Sequence, residues 1–266
     1  MQRSVRFATL LFVLPLVALG LAGPAHAAIM YGTSTVTATW DNGTTANWAT
    51  VSGGPYTSAW ASNSDAKFEG PAGTVTVSGT ITYVNSIVFA TDGYLLAAGT
   101  VTMTGTGGNI TTGAGADTIG SVIAGTVGLT KAGAGTLTLS GANSFTGAVK
   151  VSAGTLKVTG PLASSNILVQ GGTFTGGSGT ITFTLDPDPL KVTDRITMTS
   201  GTLDLSTFTI DFAGAAAPPT GAAYVLVDYS AGGVLTTATN PLSDDTSFAA
   251  TNVPAGYSFE YDTVKK

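Results

Sequence analysis

Gly135-Thr136-Leu137-Thr138-Leu139, preceded by Ala134, is the stretch that decides the fold of this 266-residue chain. It is one copy of a six-residue sequence motif, which we call the phrase. The phrase consists of a small residue, Gly, Thr, a branched apolar residue, any residue and an apolar residue. The glycines of successive clear copies are separated by about 20 to about 35 residues, in or near the range typical of solenoids, propellers and other arrays. Six copies are clear and two more lie close to a neighbour: 73–77, 99–103, 135–139, 154–158, 179–183 and 201–205, then 79–83 and 125–129.

The phrase alternates apolar and polar residues, as in Ile181-Thr182-Phe183-Thr184-Leu185, and it is rich in β-branched residues. A period of two predicts short strands that bury one face. The glycine in front of each strand predicts a corner where the backbone needs a positive φ or a close approach. No segment after residue 27 has a convincing helical period.

Three architectures can be built from such strands: a parallel β-helix, an antiparallel sandwich and a propeller. Propeller blades need about 40 residues each, so the shorter steps disfavour them. A parallel β-helix fits best, because its stacked coils place the same position directly above itself. Leu and Val then stack inside while Thr and Ser ladders line the outside. We therefore predict an all-β fold, a parallel β-helix or β-solenoid.

Residues 1–27 have the features of a secretory signal peptide. Two arginines precede an apolar stretch at 7–21, and Ala25-His26-Ala27 is a small-x-small cleavage site. A retained membrane anchor is the alternative, but Pro15 and the cleavage site argue against it. Nothing later provides the ~18 consecutive apolar residues of a spanning helix, so we expect no membrane insertion of the mature chain.

The charge balance limits the partners. The chain has 10 basic and 15 acidic residues, and cleavage of the signal removes two of the arginines and the only histidine, which leaves 10 − 2 = 8 bases and a net charge of −7. An acidic chain of this kind argues against nucleic acid or an anionic membrane as a partner. Only 9% of the residues are charged, against roughly 25% in an average domain, so hydroxyl groups must make much of the surface.

Catalysis has few candidate residues here. The mature chain has no His and no Cys, which leaves no Ser/His/Asp or Cys/His arrangement and no zinc site of the usual kind. A Ser-Lys pair remains formally possible with Lys131, Lys150 or Lys157. We expect those lysines at solvated outer-face positions in or beside the repeat strands, and we therefore predict a protein that is not an enzyme.

The ends of the chain differ from its middle. Residues 28–70 hold Trp40, Trp48 and Trp60 in Asn- and Ser-rich sequence. A solenoid end exposes unpaired strand edges, so we interpret this segment as an atypical N-terminal cap whose tryptophans fill a small core. Stacking of those rings on sugars is the alternative. Residues 71–185 carry the β-helix repeats, and 186–266 are expected to add further coils and a closing segment.

Residues 128–158 closely resemble the autotransporter-associated β-strand repeat. The resemblance is carried by Leu129-Thr130-Lys131-Ala132-Gly133-Ala134-Gly135, by Ser140-Gly141-Ala142-Asn143-Ser144 and by the second copy of the phrase at 153–158. The Trp- and Asn-rich opening, the unit at Asp194-Arg195 and the ending at 256–262 are also similar to members of that family.

The resemblance implies a right-handed β-helix of the passenger kind, displayed on or released from the bacterial surface. The sequence up to residue 266 departs from full autotransporters because it lacks their translocator barrel. We therefore expect one of three situations: export by another system, a periplasmic location, or a longer parent chain.

One charge cluster offers an alternative function. Parallel β-helices include polysaccharide lyases that use acidic residues, often with calcium, and oxygen ligands in a loop can hold Ca²⁺. Prolines at 187 and 189 fit a plain chain-reversing loop, and the family places a turn pair at the position of Asp194-Arg195. We therefore predict no metal, no cofactor and no catalytic residue. The cluster consists of Asp186, Asp188, Lys191, Asp194 and Arg195.

The prediction for function is an exported structural or adhesive β-helix, with atypical capping segments at both ends and a Thr/Ser-rich repetitive surface for cell-surface or matrix contacts. The expected partners are polysaccharide or other surface proteins, and the expected location is extracellular or the cell surface, with the periplasm as the alternative. The oligomeric state is left open. The rival function is a polysaccharide-binding or lyase-like β-helix that uses the cluster at 186–195.

Overall fold

The structure is a computed structural model in which every element of the described residues is a β-strand and none is a helix. The signal peptide predicted at 1–27 and most of the closing segment predicted at 186–266 lie outside the described residues. The described residues are 29–32, 38–105, 108–163, 166–176, 180–183, 195–204, 209–212, 226–228, 234–236 and 249–251.

Short strands separated by glycine or polar corners follow one another along the whole described chain, as the alternating pattern predicts. The first eleven are β1 Ile29–Gly32, β2 Ala38–Trp40, β3 Trp48–Ala49, β4 Ser64–Phe68, β5 Thr74–Val77, β6 Thr80–Phe89, β7 Leu95–Ala97, β8 Thr100–Met103, β9 Asn109–Thr112, β10 Ala116–Ile119 and β11 Val122–Ala124. The others are β12 Leu129–Ala132, β13 Thr136–Leu139, β14 Val149–Val151, β15 Thr155–Val158, β16 Ile167–Gly176, β17 Thr180–Phe183, β18 Ile196–Asp204, β19 Thr209–Phe212, β20 Val227–Asp228, β21 Val234–Thr236 and β22 Ala249–Thr251.

The strands stack in parallel to form three ladders. The first ladder runs in the order β1, β4, β6, β9, β12, β14, β16, β18 and β20. The second runs in the order β2, β5, β7, β10, β13, β15, β16, β18 and β21. The third consists of two runs, β6–β8–β11 and β17–β19–β22. The predicted all-β parallel solenoid is confirmed, and its right-handedness stays a prediction.

One turn of the solenoid, which we call a rung, takes about 20 residues, at the short end of the range for structural repeats. Register partners at one inward position of the first ladder follow each other at nearly equal steps as far as Val169. The longer step from Val169 to Met198 includes the segment between β16 and β18, which also contains β17. The residues in this inward column are Ala66, Ile87, Ile110, Lys131, Val151, Val169 and Met198.

The repeated phrase marks strands of more than one ladder. The copies at 73–77, 135–139 and 154–158 form strands of the second ladder, whereas those at 99–103 and 179–183 form strands of the third. The separation of two copies therefore equals one rung only when both lie in the same ladder on successive rungs. This explains why the copies are unevenly spaced along the sequence while the rungs are nearly equal in length.

The interior of the solenoid is one cluster of buried apolar side chains that extends from Ala38 to Leu203. Leu137, Leu156 and Phe174 are neighbours in register in the second ladder, and each is fully buried. Burying a side chain of this size contributes about 1.5–3 kcal/mol. The regular stacking of such side chains, together with the backbone hydrogen bonds of the ladders, holds the rungs together.

Corner glycines allow the rungs to stack closely. Gly154 has φ +63°, and a Cβ there would overlap the carbonyl oxygens of Gly133 and Gly135 on the preceding rung. Only glycine combines that conformation with that approach. The predicted role of the glycine in front of the strand is confirmed at this corner.

The three tryptophans pack against each other at the start of the ladders. Their ring centroids are 5.2 Å apart for Trp40 and Trp48, 5.0 Å for Trp40 and Trp60, and 4.8 Å for Trp48 and Trp60. All three are buried, so the interpretation that they fill a core is confirmed and their faces are not available to a sugar. Their strand β3 lies antiparallel along β1, and the capping role of this segment stays a prediction.

Candidate functional site

The outward positions of the second ladder form two straight columns, which we call the first and second outer columns. In β13 and β15 the residues between the outward positions are fully buried, because successive side chains of a strand point to opposite faces. The first outer column contains Ala116, Thr136, Thr155, Thr173 and Thr202, which are partners in register. The second contains Thr118, Thr138, Lys157, Thr175 and Asp204.

These columns form a regular grid of hydroxyl and methyl groups. Neighbouring strands lie about 4.7–4.9 Å apart, and residues two apart along a strand lie about 6.6–6.8 Å apart. Each threonine hydroxyl can both donate and accept a hydrogen bond. The grid carries two charged side chains, Lys157 and Asp204, and the hydroxyl of Thr175 donates to Asp204 Oδ2 at 3.1 Å. Chemically, the surface suits repeated shallow hydrogen bonding.

Lys131 does not lie on this outer surface, which corrects the expectation for the strand lysines. Its side chain is fully buried, in the inward column between Ile110 and Val151. The ammonium donates to the carbonyl oxygens of Ala132 at 2.7 Å and Gly133 at 2.8 Å. A longer hydrogen bond, of 3.3 Å, joins the ammonium to the carbonyl oxygen of Ala153 on the next rung. The three hydrogen bonds stabilise a charge that would otherwise be very costly to bury. Lys150 and Lys157, by contrast, are half-buried at outward positions, as expected.

A buried carboxylate, Asp117, lies in the same part of the interior as Lys131. Asp117 Oδ1 accepts hydrogen bonds from the backbone N–H groups of Gly93 and Tyr94, both at 3.0 Å. Burial raises the pKa of Asp117, although these two hydrogen bonds and the charge of Lys131 oppose the rise. Burial likewise lowers the pKa of Lys131 to about 8 against the attraction of Asp117. The two groups are thus electrostatically linked across the core.

Sequence analysis missed Asp117, although a signal was present. In register, Ala116-Asp117-Thr118-Ile119 lies beside Thr136-Leu137-Thr138-Leu139, so Asp117 takes the place of an inward leucine. The alternation of apolar and polar residues could have placed it inside. Its position is explained by the two backbone N–H groups that it accepts from at the preceding corner.

Asn143 is a second buried polar residue that the sequence did not single out. Its Oδ1 accepts from Ile123 N at 3.0 Å, and its Nδ2 donates to Gly141 O at 2.8 Å. The side chain thus makes backbone hydrogen bonds on the third side of the solenoid, between β13 and β14. Asn is a common turn residue because its side-chain amide can bond to the nearby backbone, and this could have predicted the role.

The charge cluster predicted as an alternative site is only partly described. Asp186, Asp188, Lys191 and Asp194 lie outside the described residues. Arg195 is exposed, and its guanidinium lies 3.8 Å from a carboxylate oxygen of Asp228 on β20. An exposed ion pair of this kind contributes little to stability.

Within the part of the chain that the structure describes, no group of three or more Asp, Glu, His or Cys side chains could hold a metal ion. Over the same residues, no helix is sufficiently long and apolar to cross a bilayer. Among the polar groups that the fold brings together, the hydroxyls of the outer columns are the ones that recur on successive rungs.

Comparison with known proteins identifies one repeat. Residues 129–158 match the family model of the passenger-associated transport repeat. The match extends from β12 to β15, that is, over two successive strands of the first ladder and two of the second. It confirms the resemblance found at 128–158, and with the parallel solenoid it fits an autotransporter passenger-type repeat protein. No curated protein and no solved structure matches the chain.

Proposed function

We propose that this chain is an exported, non-enzymatic β-solenoid with a structural and adhesive role, and that the two outer columns make its contacts at the cell surface or in the matrix. The observation that carries the proposal is the run of Thr136, Thr155, Thr173 and Thr202 on successive rungs. Each hydroxyl can donate and accept, so the column can form the same weak bond on every rung. Many weak bonds along a rigid surface add up to strong attachment.

The partner class follows from chemistry and charge. Polysaccharides present hydroxyl groups at regular intervals, and other solenoid surfaces do the same. The formal net charge of −5 disfavours a polyanion as the partner. Export is supported by the matched repeat, because that family is associated with autotransporter passengers. The signal sequence at 1–27 and a final location at the cell surface or in the medium are parts of the proposal.

The first test is fractionation of the source bacterium with an antibody to this chain, recording location and apparent mass. The proposal expects a signal-cleaved protein on the surface or in the medium. Retention of the protein in the cytoplasm would refute it. A larger band in the outer membrane would mean that the rod is the passenger part of a longer protein, which is still consistent with a surface role.

The second test removes hydroxyls from the grid without changing its shape. In the double variant Thr155→Val/Thr173→Val each hydroxyl becomes a methyl group, and the β-branched side chain that suits a strand is kept. Binding of the purified full chain to washed cells and to isolated extracellular polysaccharide should fall several-fold.

The matched control for this variant is Thr80→Val/Thr100→Val. These two threonines are also register partners on neighbouring rungs and point outward, but they lie in the third ladder. The control should bind like the wild type. If Thr155→Val/Thr173→Val binds as strongly as the wild type, the outer columns are not the contact surface.

A further inference from the structure

Tyr83 combines an unfavourable backbone conformation with a solvent-exposed aromatic side chain. Its φ is +58°, a region that bulky side chains rarely adopt. Its exposure of 54% places it, with Val51, among the exposed large hydrophobic side chains. The ring therefore contributes little to the core, and the fold is more strained with a tyrosine here than with a glycine.

The strain arises at a β-bulge. In the pairing of β6 with β8, Ile81 is the partner of Val101 and Val84 is the partner of Met103. Two residues of β6, Thr82 and Tyr83, therefore lie opposite the single residue between those partners. A bulge residue with positive φ is normally glycine, and bulges often redirect a side chain beside a functional site.

Other positive-φ positions nearby carry glycine or a short side chain. Gly79, Gly99 and Gly105 have φ of +71°, +52° and +81°. Asn63 and Ala98 have φ of +62° and +61°, so Tyr83 is the bulky residue among them. At Tyr83 the strained conformation is held by a backbone hydrogen bond from Asn63 N to Tyr83 O at 2.6 Å. Because the ring is exposed and adds little to the core, it is free to contact a ligand.

Amide and hydroxyl groups near Tyr83 are joined to it, or to its chain neighbour, by hydrogen bonds. The carboxylates in the same region are already engaged: Asp41 accepts from Thr44 N and Thr45 N, and Asp65 from Asn85 Nδ2 and Ser86 Oγ. The side chains of Asn42 and Thr82 are hydrogen-bonded to each other, with Asn42 Nδ2 3.2 Å from Thr82 Oγ1. Asn63, whose N–H holds the Tyr83 carbonyl, is exposed. An exposed aromatic ring with amide and hydroxyl groups near it has the chemistry that binds a sugar ring: the apolar face of the sugar stacks on the aromatic ring, and its hydroxyls bond to amides and hydroxyls.

We propose that Tyr83 is the stacking platform of a sugar-binding subsite, with Asn42, Thr82 and Asn63 as its polar border, and that the ligand is a neutral polysaccharide. This inference rests on the proposed function, because it gives the adhesive rod a specific contact near one end. It adds a residue and a ligand class that the threonine columns do not define.

The test is affinity electrophoresis of the purified full chain through gels that contain one polysaccharide each. The neutral polymers are a β-glucan, a xylan and a galactomannan, and the acidic polymers are alginate and polygalacturonate. The variants are Tyr83→Gly, Tyr83→Phe and, as a matched control at another exposed apolar side chain, Val51→Ala. A thermal unfolding curve is recorded for each protein.

The wild type should be retarded by at least one neutral polymer. Tyr83→Gly should weaken that interaction roughly three- to tenfold, which is the usual value of one aromatic contact. Its unfolding midpoint should stay the same or rise, because glycine relaxes the positive φ. Val51→Ala lies elsewhere and should bind like the wild type, whereas Tyr83→Phe keeps the ring and should retain more binding than Tyr83→Gly.

Three results would overturn this inference: unchanged binding by Tyr83→Gly, retardation only by the acidic polymers, or no retardation of the wild type by any polymer. If Tyr83→Gly binds normally while Thr155→Val/Thr173→Val loses binding, the adhesive role of the outer columns stands and the subsite alone is wrong. The measured midpoints ensure that a loss of binding by Tyr83→Gly is not a loss of folding.

Discussion

At Lys131 the position in the strand outweighs the preference of a charged side chain for solvent. In Leu129-Thr130-Lys131 the alternation places Lys131 on the same face as the buried Leu129, and that face is the interior. Its charge suggested the opposite face. The long aliphatic part of lysine fills the inward column, and the ammonium reaches the carbonyl groups of the next corner. Period alone would have predicted its burial; only the structure supplies the partners that make this burial tolerable.

Stability should depend on pH through Lys131. Its pKa is about 8 in the folded chain and 10.5 in the unfolded chain. Between these values the unfolded chain binds more protons, so the free energy of unfolding should rise as the pH rises from about 8 to 10.5. Urea unfolding followed by tryptophan fluorescence across this range measures the slope. In Lys131→Met that rise should be absent.

Lys157→Met provides the control for this pH profile, because Lys157 is a lysine at an outward, half-buried position. Removing it should leave the wild-type slope in place. If Lys131→Met and the wild type give the same profile, the buried ammonium is not the group that titrates.

At the scale of the strand, alternation and corner glycines were enough to predict the element type. The phrase at 135–139 and its copy at 154–158 are strands β13 and β15, paired in register. The assignment of each copy to a ladder was not predictable, because the phrase describes a corner followed by a strand and every side of the solenoid has such corners. Long-range register is set by stacking between rungs, which no local window contains.

The candidate site was predictable only in its composition. A Thr-rich outer surface follows from alternation, but the straight columns require knowing that Thr136, Thr155 and Thr173 are register partners. Tyr83 illustrates the same limit. Its phrase, at 79–83, predicts a regular strand, and the bulge depends on how β6 meets β8.

Corner glycines should differ sharply in their tolerance of a methyl group. Gly154→Ala forces a Cβ into two carbonyl oxygens of the preceding rung while keeping a positive φ. Backbone strain of about 1–2 kcal/mol and overpacking of about 1–3 kcal/mol should together lower the free energy of unfolding by about 2–5 kcal/mol. Denaturant unfolding measures the difference.

Gly79→Ala is the matched comparison for that corner. Gly79 has φ +71°, but no atom lies within 4 Å of its would-be Cβ. The free energy of unfolding of Gly79→Ala should therefore fall only by the backbone strain, about 1–2 kcal/mol. Equal losses at both glycines would mean that close packing of the corners does not matter.

At the scale of the whole molecule, the solenoid is a stack of similar units. Deleting residues 134–152 removes β13 and β14 and joins the corner after β12 directly to the corner before β15. Leu137 and Leu156 occupy the same inward position on successive rungs, and the deletion is as long as their separation, so it removes one complete rung. The shortened chain should still fold and give a strand-type circular dichroism spectrum with a cooperative transition.

A second deletion separates register from mere length. Removing residues 134–143, about half a rung, would place the following strands out of phase with their neighbours. That variant should not fold, whereas the full-rung deletion should. An unfolded full-rung variant would contradict the view that rungs are interchangeable units.

The stacking of rungs also determines how the molecule responds to force. From β12 to β15 the two continuous ladders bond each strand to the strands directly above and below it. A pull on the two ends of the chain therefore loads one rung at a time, and each detached rung releases about 20 residues, roughly 70 Å of extended chain. If such a rod is anchored at one end and attached to a surface at the other, it is an extensible tether. It lengthens in steps under shear, while the rungs that are still folded keep their contacts with the surface.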